Sequence, residues 1–236
     1  MTPPPVFVIT DESSAARARR GVRDAVAAAL EGGAPAILLR DKSMPDERRR
    51  RLGIQLAALT RAAGAQLWVT GDADLAASVA ADGLHLPATT ARPAGWTGPW
   101  SRSCHDAAEV ERARQEGAAH AFVAPVAATA SKPGYGPALG PDGLRALVEV
   151  ADGLPVVALG GVRPDDVACW RAAGATAVAV MGSVMAAADP AAVVRSLLDA
   201  SRTAPVTDPD ELSVPRPPEP PSAAAPSPAP PPSEPS

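Results

Sequence analysis

The sequence predicts an α/β protein folded as a single (β/α)8 TIM barrel, and three observations carry that prediction. Short apolar runs alternate with longer Ala/Arg/Glu-rich stretches of helical character, the pattern of βα units around a parallel sheet. Eight such units fit into about 200 residues, the small end of the barrel's size range. Several helical stretches end in glycine just before the next apolar run, as at Glu31-Gly-Gly33, Ala63-Gly64, Glu116-Gly117 and Ala173-Gly174, the signature of C-caps. An open doubly wound sheet is the competing arrangement, but the glycine fingerprint it needs after the first strand is absent, since Thr10-Asp-Glu-Ser13 is no phosphate loop.

In chain order, the strands are expected at Val6 to Thr10, Ala36 to Leu39, Gln66 to Val69, Gly83 to Leu86, Trp100 to Ser103, His120 to Ala124, Val156 to Leu159 and Ala177 to Val180, each a short apolar-rich run. Helices are expected between them at Ala15 to Leu30, Asp46 to Ala63, Asp74 to Ala81, Asp106 to Glu116, Gly143 to Ala151, Pro164 to Ala173 and Pro190 to Ser201. Pro45-Asp46 and Pro164-Asp165 are helix starts, because proline suits the first turn and a carboxylate favours the positive helix end. From Thr203 onward 13 of the last 34 residues are proline and large apolar side chains nearly vanish. Such a segment cannot bury enough surface to offset its ordering entropy, so residues 1–202 are read as the barrel and 203–236 as a disordered Pro/Ala/Ser-rich tail.

A net charge of −4 and scattered aromatic residues argue against a nucleic-acid platform. No apolar run approaches the roughly twenty residues of a membrane span, and Met1 to Pro5 lacks the features of a signal peptide. A cytoplasmic protein is expected; its oligomeric state, a homo-oligomer included, is not legible. Cys104 and Cys169 match no metal or redox spacing and are expected to be buried, unpaired thiols.

In a parallel barrel the loops after the strands carry the chemistry. Gly160-Gly161 follows the seventh strand, and Met181-Gly182-Ser183 follows the eighth and opens a helical stretch; amides unobstructed by a Cβ there suit a phosphate. Arg40 and Lys42 lie two apart after the second strand, so both can face the barrel mouth. With Lys132 from the sixth loop they would suit a diphosphate. Thr129, Ser131 and Lys132 set two hydroxyls and an ammonium on one Gly/Pro-rich loop, and the stretch from Lys132 to Gly140 is a candidate lid. Ser103 ends the fifth strand as a hydrogen-bonding group, with no nucleophile elbow around it, and His105 is either a ligand contact or a residue at the start of the next helix.

The ordered set Val8-Ile-Thr-Asp11, Leu39-Arg-Asp-Lys42, Ala81-Asp-Gly-Leu-His-Leu86, Ser103-Cys-His105, Thr129-Ala-Ser-Lys132, Gly160-Gly-Val162 and Val180-Met-Gly-Ser-Val184 resembles the thiamine phosphate synthase/TenI superfamily over nearly all of residues 6 to 200. The resemblance implies a synthase that joins a hydroxymethylpyrimidine diphosphate to a thiazole phosphate. It implies that Arg40, Lys42, Ser103 and Lys132 hold the diphosphate-bearing pyrimidine. Thr129 and Ser131 would touch the thiazole phosphate, with Gly161, Met181 and Gly182 as its backbone grip. Thr70 stands where the family has the first residue of a metal-binding Asn-Asp pair, and is carried as a substrate contact. Mg2+ is the cofactor implied, yet its usual ligands are missing: Thr70-Gly71 replaces that pair, and Leu86 to Thr90 lacks the second carboxylate. Leu38 stands where a glutamine is expected, and Pro125 where the TenI branch has a histidine. Three readings follow: a divergent synthase, a TenI-type thiazole phosphate tautomerase, and a non-catalytic thiazole-phosphate-binding regulator, all acting on small phosphorylated molecules. The synthase leads, because a tautomerase has no need of three diphosphate-directed cations.

Overall fold

The computed structural model describes residues 2–41, 43–128 and 138–203. Among them, eight parallel strands close a barrel in sequence order, β1 (Val6–Ile9), β2 (Ala36–Leu39), β3 (Gln66–Thr70), β4 (Gly83–Leu86), β5 (Trp100–Cys104), β6 (His120–Val123), β7 (Val156–Leu159) and β8 (Ala177–Val180), with β8 pairing back onto β1. They match the expected strands to within one residue at each end. Because all run the same way, every segment that leaves a strand's C-terminal end opens at one mouth.

Alternation along the strands divides the buried side chains into two sets. Val6, Val8, Ile37, Leu39, Leu67, Val69 and Leu84 face outward and pack against the helices. Phe7, Ile9, Ala36, Leu38, Trp68, Phe122, Val157, Ala177 and Ala179 face inward and fill the lumen. Phe7 and Phe122 meet edge to face at 5.1 Å, and His120 tilts against Trp68 at 4.7 Å. The lumen is thus a packed plug beneath the mouth, and the next inward position on each strand stands at its rim.

The helices are α1 (Glu12–Arg17), α2 (Val22–Glu31), α3 (Asp46–Ala63), α4 (Ala73–Ser78), α5 (Ala107–Gln115), α6 (Gly140–Ala151), α7 (Val167–Ala172, preceded by a 3-10 turn at Pro164–Asp166), α8 (Gly182–Met185) and α9 (Pro190–Thr203). The single helix expected over Ala15 to Leu30 is a correction: it is two, α1 and α2. The chain breaks at Arg19, whose φ is +53°, and the Arg20 guanidinium turns away to donate to Ala187 O and Ala188 O at 3.1 Å each. Side chains of Asp11, Asp72 and Asp106 cap α1, α4 and α5 by accepting from an N–H three residues on, each contributing about 1 kcal/mol. The stretch between β4 and β5 is held by buried Arg102, which donates to Ala88 O at 2.9 Å and Thr90 O at 2.8 Å while pairing with Glu116 at 2.5 Å.

Cys104 is buried as expected, and burial pushes its thiol up to about 12. Cys169 corrects the expectation, being exposed on α7. No helix among the described residues is long and apolar enough to cross a membrane. The expected tail beyond Thr203, and the candidate lid apart from residues 138–140, fall outside the described residues. Where that lid segment ends, Leu139 N and Gly140 N donate to Pro125 O and Val126 O at 3.0 Å each, tying it to the segment after β6.

Candidate active site

Arg40 continues the inward register of Ala36 and Leu38 and so emerges at the rim, directly after β2. Its backbone is fixed by a buried latch. Arg40 N–H donates to Thr10 Oγ1 at 2.9 Å, the Thr10 hydroxyl donates to Asp41, and Asp41 also accepts from Glu12 N at 2.6 Å. The guanidinium stays 37 % exposed, lying 3.8 Å from Asp11 and reaching Met181 Sδ at 3.9 Å across the mouth. Burial pushes the Asp11 carboxyl up, but hydrogen bonds from Ser14 and Ser13 and the Arg40 charge outweigh it and leave it below the ordinary carboxylate range. The rim therefore carries a fixed, partly neutralised cation with a free face toward solvent.

The quarter of the rim formed by β3, β4 and β5 is polar. Thr70, one register above the inward Trp68, is buried and its hydroxyl has no hydrogen-bond partner among the described residues. Beside it on β4 is His85, whose Nδ1 lies 2.9 Å from Ser101 Oγ and whose Nε2 lies 2.8 Å from Ser103 Oγ. Ser103 is only partly buried and stands at the opening. His105 is engaged at the start of α5: its Nδ1 lies 2.9 Å from Glu109 Oε2, which also accepts from His105 N at 2.8 Å. That favours the helix-start alternative for this residue. His85 and Ser101 were absent from the expected site residues, although His85 sits inside the Ala81 to Leu86 motif; the missed signal was their inward alternation with Leu84, Leu86 and Arg102.

On the opposite side, Gly160 and Gly161 turn the chain out of β7 with φ of +98° and +72°. A Cβ on Gly161 would stand 2.5 Å from Ala128 O and 2.8 Å from Ala127 Cβ, so only glycine lets this loop pack against the segment after β6. Met181 continues the inward register of β8 and packs on the lumen core. In α8 the first amide to find a carbonyl is Val184, which donates to Met181 O at 3.2 Å, so the Gly182 and Ser183 N–H groups precede the first helical bond. Space beside Gly182 is open, the nearest group to an added Cβ being Ser14 Oγ at 3.8 Å.

The structure thus brings Arg40 to Met181, and Thr70, Ser103, Gly160, Gly161, Gly182 and Ser183 to the same mouth. Lys42, Thr129, Ser131 and Lys132 lie outside the described residues. Among the described residues the donors do not fit a magnesium site: no three His, Cys, Asp or Glu side chains gather to hold a metal. The one carboxylate near the expected position, Asp72, accepts from Leu75 N at 2.8 Å and pairs with Arg49 at 3.1 Å, and Arg49 also donates to Thr70 O at 2.6 Å.

A family model described as thiamine monophosphate synthase matches residues 6–184. The thiamine-phosphate synthase of Roseiflexus castenholzii is 41% identical over 204 residues, covering 82% of this chain and 86% of its own. That of Moorella thermoacetica is 41% identical over 186 residues, covering 75% and 87%. Among solved structures, thiamine phosphate pyrophosphorylase from Pyrococcus furiosus superposes with a TM-score of 0.73 at 29% identity, over 84% of this chain and 95% of that one.

Proposed function

The chain belongs to the thiamine monophosphate synthase family, and on that premise we propose that it is a transferase joining hydroxymethylpyrimidine diphosphate to thiazole phosphate with release of pyrophosphate. The observation that carries this reading is the Arg40 guanidinium 3.9 Å from Met181 Sδ. It supports a reading in which Arg40 serves the diphosphate beside β8 amides suited to a second phosphate, with both substrates held at one mouth.

The reaction breaks the bond between the pyrimidine methylene carbon and a diphosphate oxygen, and the electron pair leaves with pyrophosphate. The methylene, now cationic, is captured by the lone pair of the thiazole nitrogen, forming the new C–N bond. Charge accumulates on the leaving group, so the step needs fixed positive charge and hydrogen-bond donors there more than a base. Arg40, held by the Thr10–Asp41 latch, supplies part of that charge; Lys42 and Lys132 are proposed to supply the rest, and the Ser103 hydroxyl to donate to the pyrimidine substrate. Thr70, whose buried hydroxyl has no hydrogen-bond partner among the described residues, is proposed as a further substrate contact. Thr129 and Ser131, with the amides around Gly161, Gly182 and Ser183, are proposed to hold the thiazole phosphate, and clamping the two rings together converts capture into a near-unimolecular step. Among the described residues no three His, Cys, Asp or Glu side chains gather into a magnesium site.

In the same reading residues 1–202 are the catalytic unit, the 203–236 segment adds no chemistry, and the work is cytoplasmic on small phosphorylated substrates. Purified protein given both substrates and magnesium should form thiamine phosphate and pyrophosphate in equal amounts. Absence of product, alongside tight thiazole phosphate binding, would contradict the transferase reading and support a binding protein; conversion of the thiazole tautomer alone would support an isomerase.

A further inference from the structure

Three inward-facing polar side chains, Ser101, His85 and Ser103, form a line that climbs from the buried lumen to the mouth. Ser101 is fully buried and His85 is 5 % exposed, whereas Ser103 opens to the site. The imidazole spans the two hydroxyls, with Nδ1 2.9 Å from Ser101 Oγ and Nε2 2.8 Å from Ser103 Oγ. The ring is further fixed edge to face on Phe122 at 4.6 Å. A buried hydroxyl needs an acceptor for its proton, and among the described residues the acceptor at hydrogen-bond distance from Ser101 Oγ is His85 Nδ1. If Ser101 donates to Nδ1, the neutral ring carries its proton on Nε2 and donates it to Ser103 Oγ. The Ser103 proton is then directed away from the ring, toward the mouth.

We infer that Ser101 and His85 are positioning residues that lock the polarity of Ser103, making it a hydrogen-bond donor to an anionic oxygen of the diphosphate substrate. The inference rests on the proposed binding role of Ser103. It adds that the role is set from below, by two residues buried beneath the mouth. A serine without such a lock rotates between donor and acceptor orientations, and part of the binding free energy is lost in orienting it. The reversed ring would turn Ser103 inward as a donor to the imidazole and present only oxygen lone pairs to the anion.

The test uses the full-length chain labelled with 15N in its three histidines, with the His85 signals assigned by their loss in His85→Gln. The expected result is the Nε2–H tautomer of His85 in the wild type and loss of that preference in Ser101→Ala. Calorimetry with inorganic pyrophosphate should then give an affinity about tenfold weaker in Ser101→Ala, the size of one hydrogen bond to a charged group, with thiazole phosphate affinity unchanged. An Nδ1–H tautomer in the wild type, or wild-type pyrophosphate affinity in Ser101→Ala, overturns the inference. Equal loss of affinity for both ligands also overturns it, since that is the mark of a merely structural role. A wild type that has the Nε2–H tautomer and binds pyrophosphate in a Ser101-dependent way, yet forms no thiamine phosphate, refutes the proposed reaction while supporting the lock.

Discussion

Gly182 and Gly161 both stand at the rim, yet they respond differently to a side chain. At Gly182 an added Cβ meets nothing closer than Ser14 Oγ at 3.8 Å, so the fold tolerates it, whereas a phosphate approaching the α8 amides does not. Gly182→Val is therefore expected to weaken thiazole phosphate binding about tenfold or more by calorimetry while leaving the thermal midpoint unchanged. Unaltered affinity would remove this residue from the grip. At Gly161 a Cβ would strike Ala128 O, so substitution there reports on the loop as well as on the ligand. Arg40, Ser103 and these glycines were legible in the sequence because each lies within two residues of the C-terminal end of a strand. The partners that aim them were not. Alternation along β4 and β5 faces His85 and Ser101 inward, but which residues they and the Thr10–Asp41 pair meet depends on contacts 16 to 31 positions apart, which sequence spacing does not carry.

Strand β4 illustrates how an element is set by its neighbour. Gly83 is adjacent to Trp68 of β3, and a Cβ there would collide with the indole that plugs the lumen. Gly83→Ala is expected to destabilise the protein by about 1–3 kcal/mol in urea unfolding, through overpacking of a filled lumen. Wild-type stability would mean that Trp68 has an alternative seat. Strands and glycine-capped helices were readable because their signals are local: apolar runs, caps and the residues that end them. The break between α1 and α2 was not, because Gly21 is the one glycine, and so the weakest helix former, between Ala15 and Leu30 and the break is fixed by Arg20 bonding to the carbonyls of Ala187 and Ala188, 167 and 168 positions further along the chain.

The barrel as a whole depends on a titratable group sealed within it. His120 is 1 % exposed among Phe7, Trp68 and Phe122, and burial pushes its pKa down to about 4. In the unfolded chain it titrates near 6.5, so between about pH 6.5 and pH 4 the unfolded state binds a proton that the folded state does not. Stability should be full above pH 6.5 and fall by about 2–4 kcal/mol as pH drops toward 4. Denaturant unfolding of wild type and His120→Gln at pH 7.5 and 4.5 checks this, and an equal pH dependence in both would contradict it. Deleting residues 204–236 should leave thiamine phosphate formation unchanged, whereas a large loss would assign the proline-rich segment a part in the chemistry. The claim on which the rest stands is that one barrel mouth receives both phosphorylated heterocycles. The most direct measurement is a crystal structure of the full chain with thiazole phosphate and a non-reactive pyrimidine diphosphate analogue. The account predicts the diphosphate at Arg40 and Ser103, and the thiazole phosphate on the amides around Gly161 and Gly182, in one continuous cavity. Ligands bound in separate cavities, or away from the C-terminal ends of the strands, would contradict it.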